Sequence, residues 1–150
     1  TKIVVRKLFG TVANKKLVIL GFAFKSNTND TRYSPAIDIT RDLLENGANL
    51  YIHDPQVEEK EISLKLHYEK EGISEGSWFF EKDLWVAFSD ADAVIIMTEW
   101  DDYLKINWKD LSSLMRKPSW LFDTRGIVEE SSISKLNLNF WKIGKGFIKA

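Results

Sequence analysis

Residues 17–48, LVILGFAFKSNTNDTRYSPAIDITRDLLENGA, contain a complete strand, loop and helix pattern. The apolar, β-branched run at the start ends at Gly21, which is typical of a buried strand. Downstream, Ser34 stands as an N-cap, Pro35 takes the first helical position and Gly47 lies at the C-terminal end, so this segment predicts a helix. The polar loop between them occupies the position at which α/β proteins bind phosphate groups.

The same alternation of strands and helical segments continues along the chain. Further strands are predicted at NLYIHDP (49–55), ADAVIIMT (91–98), SWLFDT (119–124) and FWKIG (140–144), and helices at 82–88, 108–115 and 128–136. Such alternation favours a parallel sheet, because right-handed crossovers carry the helices over its faces. We therefore expect a three-layer α/β/α, Rossmann-like domain whose mainly parallel sheet has about five strands in the order 3-2-1-4-5.

Two segments depart from this alternation. Apolar residues of the first segment recur at helical spacing, namely Ile3, Val4, Leu8 and Val12. Residues 1–15 are therefore expected to be the tail of a longer interdomain helix, with its apolar stripe bare and available for self-association, and residues 16–150 to be the domain proper. Residues 56–81 lack a steady period and predict an irregular excursion that can include one edge strand.

Composition narrows the possible functions. The net charge of −1 provides no field for DNA or an anionic membrane, so we expect no nucleic-acid partner and an anionic ligand held by a few local cations. Without a long apolar run or a signal-peptide pattern, no membrane partner and a cytoplasmic location are expected. The chain has no cysteine and two histidines, which argues against disulfides, a thiol nucleophile and a metal site.

The loop after the first strand carries two cations but few glycines. Gly21 and Lys25 are present without a second glycine beside the lysine, so the loop is not a Walker P-loop, and the G-x-G-x-x-G dinucleotide fingerprint is also absent. Lys25 and Arg32 could together hold a diphosphate, the lysine as a point charge and the arginine as a two-pronged donor. Alternatively, both cations are solvated or pair with Asp30 and Asp123.

Loops after the other strands hold the remaining candidates, because ligands of open α/β sheets lie beyond the carboxyl ends of the strands. Asp54 occupies the place of a ribose-binding acid, but its position before Pro55 is better explained by a turn. Glu99 follows the strand that ends at Thr98, and Arg125 follows the next strand. We expect Lys25 and Arg125 on the same carboxyl edge, with Cα atoms roughly 10 to 15 Å apart.

Four motifs carry a family resemblance: GFAFKSNTNDTRYSP, YIHDP, VIIMTEWDDY and FDTRGIV. In this order and spacing they resemble the C-terminal, UDP-binding domain of the UDP-glucose/GDP-mannose dehydrogenase family. The similarity covers nearly the whole chain. The TEWDDY segment looks more like the UDP-glucose branch than the branches that act on GDP-mannose or UDP-N-acetylmannosamine.

The resemblance implies an oxidoreductase that converts UDP-glucose to UDP-glucuronate with NAD, in a protein whose N-terminal catalytic domain is absent from this chain. It implies that Phe24, Lys25 and Arg125 bind the substrate, and that Arg32 reaches NAD held by the other domain. A homo-oligomer is also expected. The isolated chain is expected to be inactive, because the cysteine nucleophile and its partners belong to the missing half.

This chain departs from the family pattern in one loop, where Asp-Gly-Arg is replaced by Asp123-Thr124-Arg125 followed by Gly126. The backbone there is therefore expected to differ. A free-standing, flavodoxin-like binding module without an enzymatic partner is the alternative of a different class.

Overall fold

The computed structural model describes residues 1–67 and 76–148. Within these ranges one sheet has seven strands: β1 Lys16–Leu20, β2 Asn49–His53, β3 Ser77–Phe80, β4 Ala93–Ile96, β5 Trp120–Asp123, β6 Asn139–Lys142 and β7 Gly146–Ile148. Their order is β3-β2-β1-β4-β5-β6-β7. Neighbouring strands are parallel except for the antiparallel pair β6 and β7.

The described ranges also contain six α-helices and one 3-10 turn: α1 Lys2–Lys7, which precedes β1, and α2 Pro35–Glu45, α3 Glu59–His67, α4 Leu84–Phe88, α5 Asp101–Leu104, α6 Trp108–Ser113 and the turn Glu130–Ser132 between strands. Helix α2 begins as predicted, with Ser34 Oγ accepting a hydrogen bond from the Ala36 amide at 3.3 Å. Helices α4 and α6 are also confirmed. The helix predicted at 128–136 is reduced to the short 3-10 turn.

The sheet winds in both directions from β1, which places helices on both of its faces. Helices α2 and α3 follow β1 and β2, where the chain moves from the centre of the sheet toward β3, and these two helices contact each other. Helices α4 and α6 precede β4 and β5, where the chain moves toward the other end of the sheet, and they also contact each other. Strands β4 and β5 are buried along their whole lengths, and β1 is buried from its second residue onward. This burial on both faces explains their continuous apolar sequences.

The predicted strand order is confirmed once the edge strand β3 is counted as the third strand. The predicted count of about five was too low, because β3 and the short C-terminal strand β7 extend the sheet at its two ends. The excursion 56–81 was also predicted wrongly in part, since α3 is regular. Among the described side chains of α3 only Ile62 is buried, so its helical period is weak. Residues 68–75 of the excursion lie outside the described residues.

The apolar stripe near the N-terminus is covered by the domain itself. Val4, Leu8 and Val12 are buried in the core, whereas Ile3, the other residue of the predicted stripe, is exposed. Helix α1 ends at Lys7, so the helical part is shorter than the predicted tail over residues 1–15. The helix lies close to the sheet, since Lys7 Nζ is 5.4 Å from the ring centroid of Trp120 and 5.0 Å from that of Phe147. The prediction of a bare self-association face was therefore wrong, because the start of the chain packs onto its own domain.

Candidate functional site

Four strands end at the same level on the carboxyl edge of the sheet. Leu20 of β1 is in register with His53 of β2 and with Ile96 of β4, and Ile96 is in register with Asp123 of β5. The loops after these strands therefore start from one edge, as predicted for the loops that carry Lys25 and Arg125, while the predicted distance between their Cα atoms stays a prediction. Because only β4 separates β1 from β5, these two strands lie about 10 Å apart.

A close backbone contact fixes the start of the loop after β1. Gly21 has a φ of +97°, and a Cβ atom at this position would lie 2.4 Å from Cβ and Oγ1 of Thr98. The Thr98 hydroxyl donates a hydrogen bond to the carbonyl of Ala23 at 2.8 Å. Glycine is therefore required where the loop crosses the end of β4, and Thr98 holds the backbone just before Phe24.

The buried carboxylate of Asp54 joins three loops. It accepts five hydrogen bonds, from the amides of Phe22 at 2.8 Å, Ala23 at 3.0 Å, Gln56 at 2.9 Å and Val57 at 2.9 Å, and from Trp100 Nε1 at 3.2 Å. These donors occupy the lone pairs of both oxygens. Asp54 is thus a structural turn residue, as interpreted from the sequence, and its carboxylate has no capacity left for a ribose.

Phe24 and Lys25 project from this fixed base. The Phe24 amide donates to the Asp30 carbonyl at 2.8 Å, which closes the loop, while the Phe24 side chain is 45% exposed. Lys25 is exposed, and its ammonium group has no ion pair or hydrogen bond among the described residues. The loop therefore presents an aromatic ring and a free cation at the carboxyl edge.

Arg32 has a partner within its own loop. Its guanidinium donates to the Asp30 carboxylate from Nε at 3.0 Å and from a terminal nitrogen at 2.8 Å, and these hydrogen bonds lower the pKa of Asp30 to about 2. The alternative of pairing with Asp30 therefore holds for Arg32, although its side chain is 77% exposed. Arg32 lines a cavity of about 630 Å³ that it shares with Lys60 and Leu64 of α3.

The side chain of Tyr33, at the tip of the same turn, is 92% exposed, and its φ is +59°. The Ser34 amide donates to the Thr31 carbonyl at 3.1 Å and closes this turn. Thr31 and Ser34 are both buried, so the residues that flank the tip hold it away from the core. Arg32 and Tyr33 therefore project from a fixed turn.

Arg125 is held by its backbone and by its side chain. The buried Asp123 carboxylate accepts hydrogen bonds from the amides of Arg125 at 3.1 Å, Gly126 at 2.7 Å and Val128 at 2.8 Å. The side chain of Arg125 donates from Nε to Glu99 Oε2 at 2.6 Å. Asp123 thus caps the backbone rather than the guanidinium. Glu99 was predicted only as a residue of the loop beside the crevice, and its pairing with Arg125 was not predicted.

The loop that has Asp123-Thr124-Arg125 in place of the family's Asp-Gly-Arg is held by a contact of its own threonine and by the glycine that follows. The Thr124 hydroxyl donates to the Ile96 carbonyl at 2.5 Å, which ties the loop to the end of β4. Gly126 takes the positive φ of +74° that this turn requires.

The half-buried His53 and the buried Tyr103 lie beneath the loops at this edge and contact each other. Tyr103 of α5 donates its hydroxyl hydrogen to the His53 carbonyl at 3.0 Å, and its oxygen lies 3.0 Å from His53 Nδ1. Burial lowers the pKa of His53 and raises the pKa of Tyr103 well above its ordinary value. Both groups are therefore neutral near pH 7, which suits a packing role. The pair forms where α5 packs near the end of β2, 50 residues apart in the sequence, so no local pattern predicts it.

Known proteins are similar to this chain over the residues that form the sheet and the candidate site. The sequence model described as UDP-glucose/GDP-mannose dehydrogenase family, UDP binding domain, matches residues 18–130. UDP-glucose 6-dehydrogenase 1 of Glycine max is 38% identical and aligns with 95% of this chain and 32% of its own length. UDP-glucose 6-dehydrogenase of Drosophila melanogaster is 35% identical and aligns with 96% of this chain and 31% of its own length. The chain thus spans about a third of the length of these curated relatives.

Solved structures agree with the fold. A UDP-glucose dehydrogenase from Pyrobaculum islandicum is 27% identical, with a TM-score of 0.56 over 71% of this chain and 22% of its own. A UDP-D-ManNAc dehydrogenase from Pyrococcus horikoshii has a TM-score of 0.70 over 97% of this chain and 29% of its own, at 23% identity, which shows the fold alone. Among the described helices none has the length and apolar character needed to cross a membrane.

Proposed function

The chain belongs to the UDP-glucose/GDP-mannose dehydrogenase family as its UDP-binding domain, and we propose that it holds the UDP part of UDP-glucose in an NAD-dependent UDP-glucose 6-dehydrogenase. The choice of UDP-glucose rests on the names of the curated relatives, which are 34% to 38% identical to this chain and are UDP-glucose 6-dehydrogenases. The oxidation itself, the cofactor and the N-terminal catalytic domain are proposed for the full-length protein.

The observation that carries this proposal is the shared edge of Lys25 and Arg125. Lys25 has no ion pair among the described residues, and Arg125 uses only Nε in its contact with Glu99. The remaining donors suit a diphosphate, which accepts hydrogen bonds on several oxygens and attracts cations. Phe24 adds an exposed aromatic surface beside them. We assign substrate binding to these three residues.

Arg32 is proposed to reach NAD held by the N-terminal domain rather than the UDP. It lies on a separate turn from Phe24 and Lys25, is highly exposed and is already ordered by Asp30. An arginine whose side chain is ordered in advance loses less conformational entropy when it meets an anionic group. The role of residues 1–15 as the end of an interdomain helix, the homo-oligomer and the cytoplasmic location remain predictions for the full-length protein.

The chain's own contribution is binding and orientation. It contains no cysteine, so any thiol step belongs to the proposed N-terminal domain. NAD would supply the hydride acceptor there. The isolated chain is therefore expected to produce no NADH from UDP-glucose and NAD.

Isothermal titration calorimetry of the chain with UDP, GDP and NAD tests the proposal. We expect UDP to bind weakly and more tightly than GDP, and NAD not to bind by itself. Binding of none of the three would contradict the proposal and favour the non-catalytic module. Stronger binding of GDP than of UDP would instead assign the domain to a GDP-sugar enzyme.

A further inference from the structure

We propose that Glu99 is a positioning residue for nucleotide binding, which orients the Arg125 guanidinium so that its terminal nitrogens face the diphosphate. This inference rests on the proposed function, because it assumes that Arg125 contacts UDP. Neither the family description nor the names of the relatives assign a role to this glutamate.

The geometry of the ion pair supports an orienting role. Glu99 Oε2 lies 2.6 Å from Arg125 Nε, and both side chains are about one-third exposed, at 34% and 33%. The contact occupies one edge of the planar guanidinium. Among the described residues the two terminal nitrogens of Arg125 have no hydrogen-bond partner, since only Nε contacts Glu99. Glu99 thus restrains the guanidinium and leaves free the pair of donors that matches phosphate oxygens.

Glu99 itself stands between two anchored neighbours. Thr98 is buried and donates through its hydroxyl to Ala23, and Trp100 is buried and donates through its indole to Asp54. The Trp100 amide also donates to the Thr98 carbonyl at 3.0 Å. The backbone of Glu99 is therefore fixed relative to the start of the loop that carries Lys25. Through Glu99, the guanidinium of Arg125 is held relative to this lysine as well.

Neutralising Glu99 has two opposing effects on UDP binding, so the direction of the change in affinity shows which effect dominates. A carboxylate near a diphosphate repels it, so neutralising Glu99 would strengthen UDP binding if charge dominated. Holding Arg125 in place reduces the entropy that the arginine loses on binding, so the same change would weaken UDP binding if positioning dominated. The charge-assisted contact at 2.6 Å favours the second effect.

The test is calorimetric titration of the chain and its Glu99→Gln variant with UDP. We expect the dissociation constant of the variant to rise roughly five- to tenfold. An unchanged or lower dissociation constant would overturn the inference. If the wild-type chain itself fails to bind UDP, the proposed function fails first, so the two failures are distinguishable.

A double-mutant cycle separates positioning from a general structural effect. If Glu99 acts through Arg125, Glu99→Gln will not weaken UDP binding further in an Arg125→Ala background. A further loss of the same size in that background would show that Glu99 acts independently of Arg125 and would overturn the inference. Glu99→Asp, which keeps the charge on a shorter side chain, is expected to recover part of the affinity.

Asp90→Asn is the matched control. Asp90 is exposed on the turn before β4, at the amino edge of the sheet, and its φ of +56° is one that asparagine tolerates. This variant changes the net charge by the same amount as Glu99→Gln. Its dissociation constant for UDP is expected to equal that of the wild type. An equal rise of the dissociation constant in both variants would show that the effect is not specific to Glu99 and would overturn the inference.

Discussion

The indole nitrogen of Trp100 donates a hydrogen bond to the Asp54 carboxylate at 3.2 Å, across the carboxyl edge of the sheet. The same oxygen accepts from the amides of Phe22 and Ala23. One buried carboxylate therefore joins the loops that follow β1, β2 and β4. Its removal is expected to loosen the edge from which the candidate site is built.

Asp54→Asn should destabilise the chain by about 3 kcal/mol, because an amide nitrogen would replace an oxygen that faces N–H donors. Urea unfolding followed by circular dichroism measures the change in free energy. Asp101→Asn, at an exposed position on the neighbouring helix α5, is the control and should change stability by less than about 0.5 kcal/mol. Equal effects of the two variants would contradict the structural role of Asp54.

Gly21→Ala should also destabilise the fold, by about 3 kcal/mol, since the new Cβ would clash with Thr98 in addition to straining the backbone. Gly10 is a matched control, because its φ is +81° and a Cβ there would meet nothing within 4 Å. Gly10→Ala therefore measures backbone strain alone, about 1 kcal/mol. Thermal unfolding of both variants compares the two costs, and similar values would show that the contact with Thr98 is relieved by a small shift.

Lys25→Ala should weaken UDP binding roughly tenfold or more, since it removes a charge-assisted phosphate contact. The control is Lys15→Ala, which removes a cation just before β1 at the opposite edge of the sheet. Calorimetry with UDP at constant ionic strength measures both. A loss of affinity that is the same in both variants would remove Lys25 from the site.

Arg32→Ala in the proposed full-length enzyme should raise KM for NAD more than KM for UDP-glucose. The reason is that Arg32 lies on a turn of its own and is assigned to the cofactor held by the other domain. Steady-state kinetics with each substrate varied in turn gives both constants. Equal increases would instead make Arg32 a residue that only stabilises its loop through Asp30.

The pair of Asp30 and Arg32 predicts a pH dependence at acidic pH. Hydrogen bonds from Arg32 lower the pKa of Asp30 from 3.8 to about 2. Because the pKa is depressed in the folded state, the pair stabilises the loop above pH 4 and loses this contribution as the pH falls from about 4 to about 2. NMR titration of the Asp30 carboxyl carbon measures the pKa, and in Arg32→Gln it should return toward 3.8. An unchanged low pKa in the variant would attribute the shift to other groups.

Helix α2 and strands β1, β4 and β5 were predictable because each carries a clear signal within its own sequence. Ser34, Pro35 and Gly47 mark the ends of α2, and the apolar runs of β1, β4 and β5 reflect burial on both faces. Strand β7 was missed because it is only three residues long and depends on pairing with β6. Helix α3 was missed because its buried face is narrow.

The sequence was sufficient to predict which loops form the candidate site, but not which side chains within those loops contact each other. The rule that ligands lie beyond the carboxyl ends of strands brought Lys25 and Arg125 to one edge. The pairing of Glu99 with Arg125 depends on the register of β4 and β5, which no local pattern encodes. The burial of Val4 and Leu8 likewise depends on which surface the start of the chain meets after folding.

The five hydrogen bonds accepted by Asp54 also limit how this domain can change during evolution. A dinucleotide-binding fold uses the acid at this position for a ribose and uses three glycines in the preceding loop for the pyrophosphate. Introducing those glycines into the loop after β1 would not create such a site, because the carboxylate of Asp54 would still be hydrogen-bonded to the backbone of its own loops. Backbone and acid would have to change together, so the specialisation of this edge is hard to reverse by single substitutions.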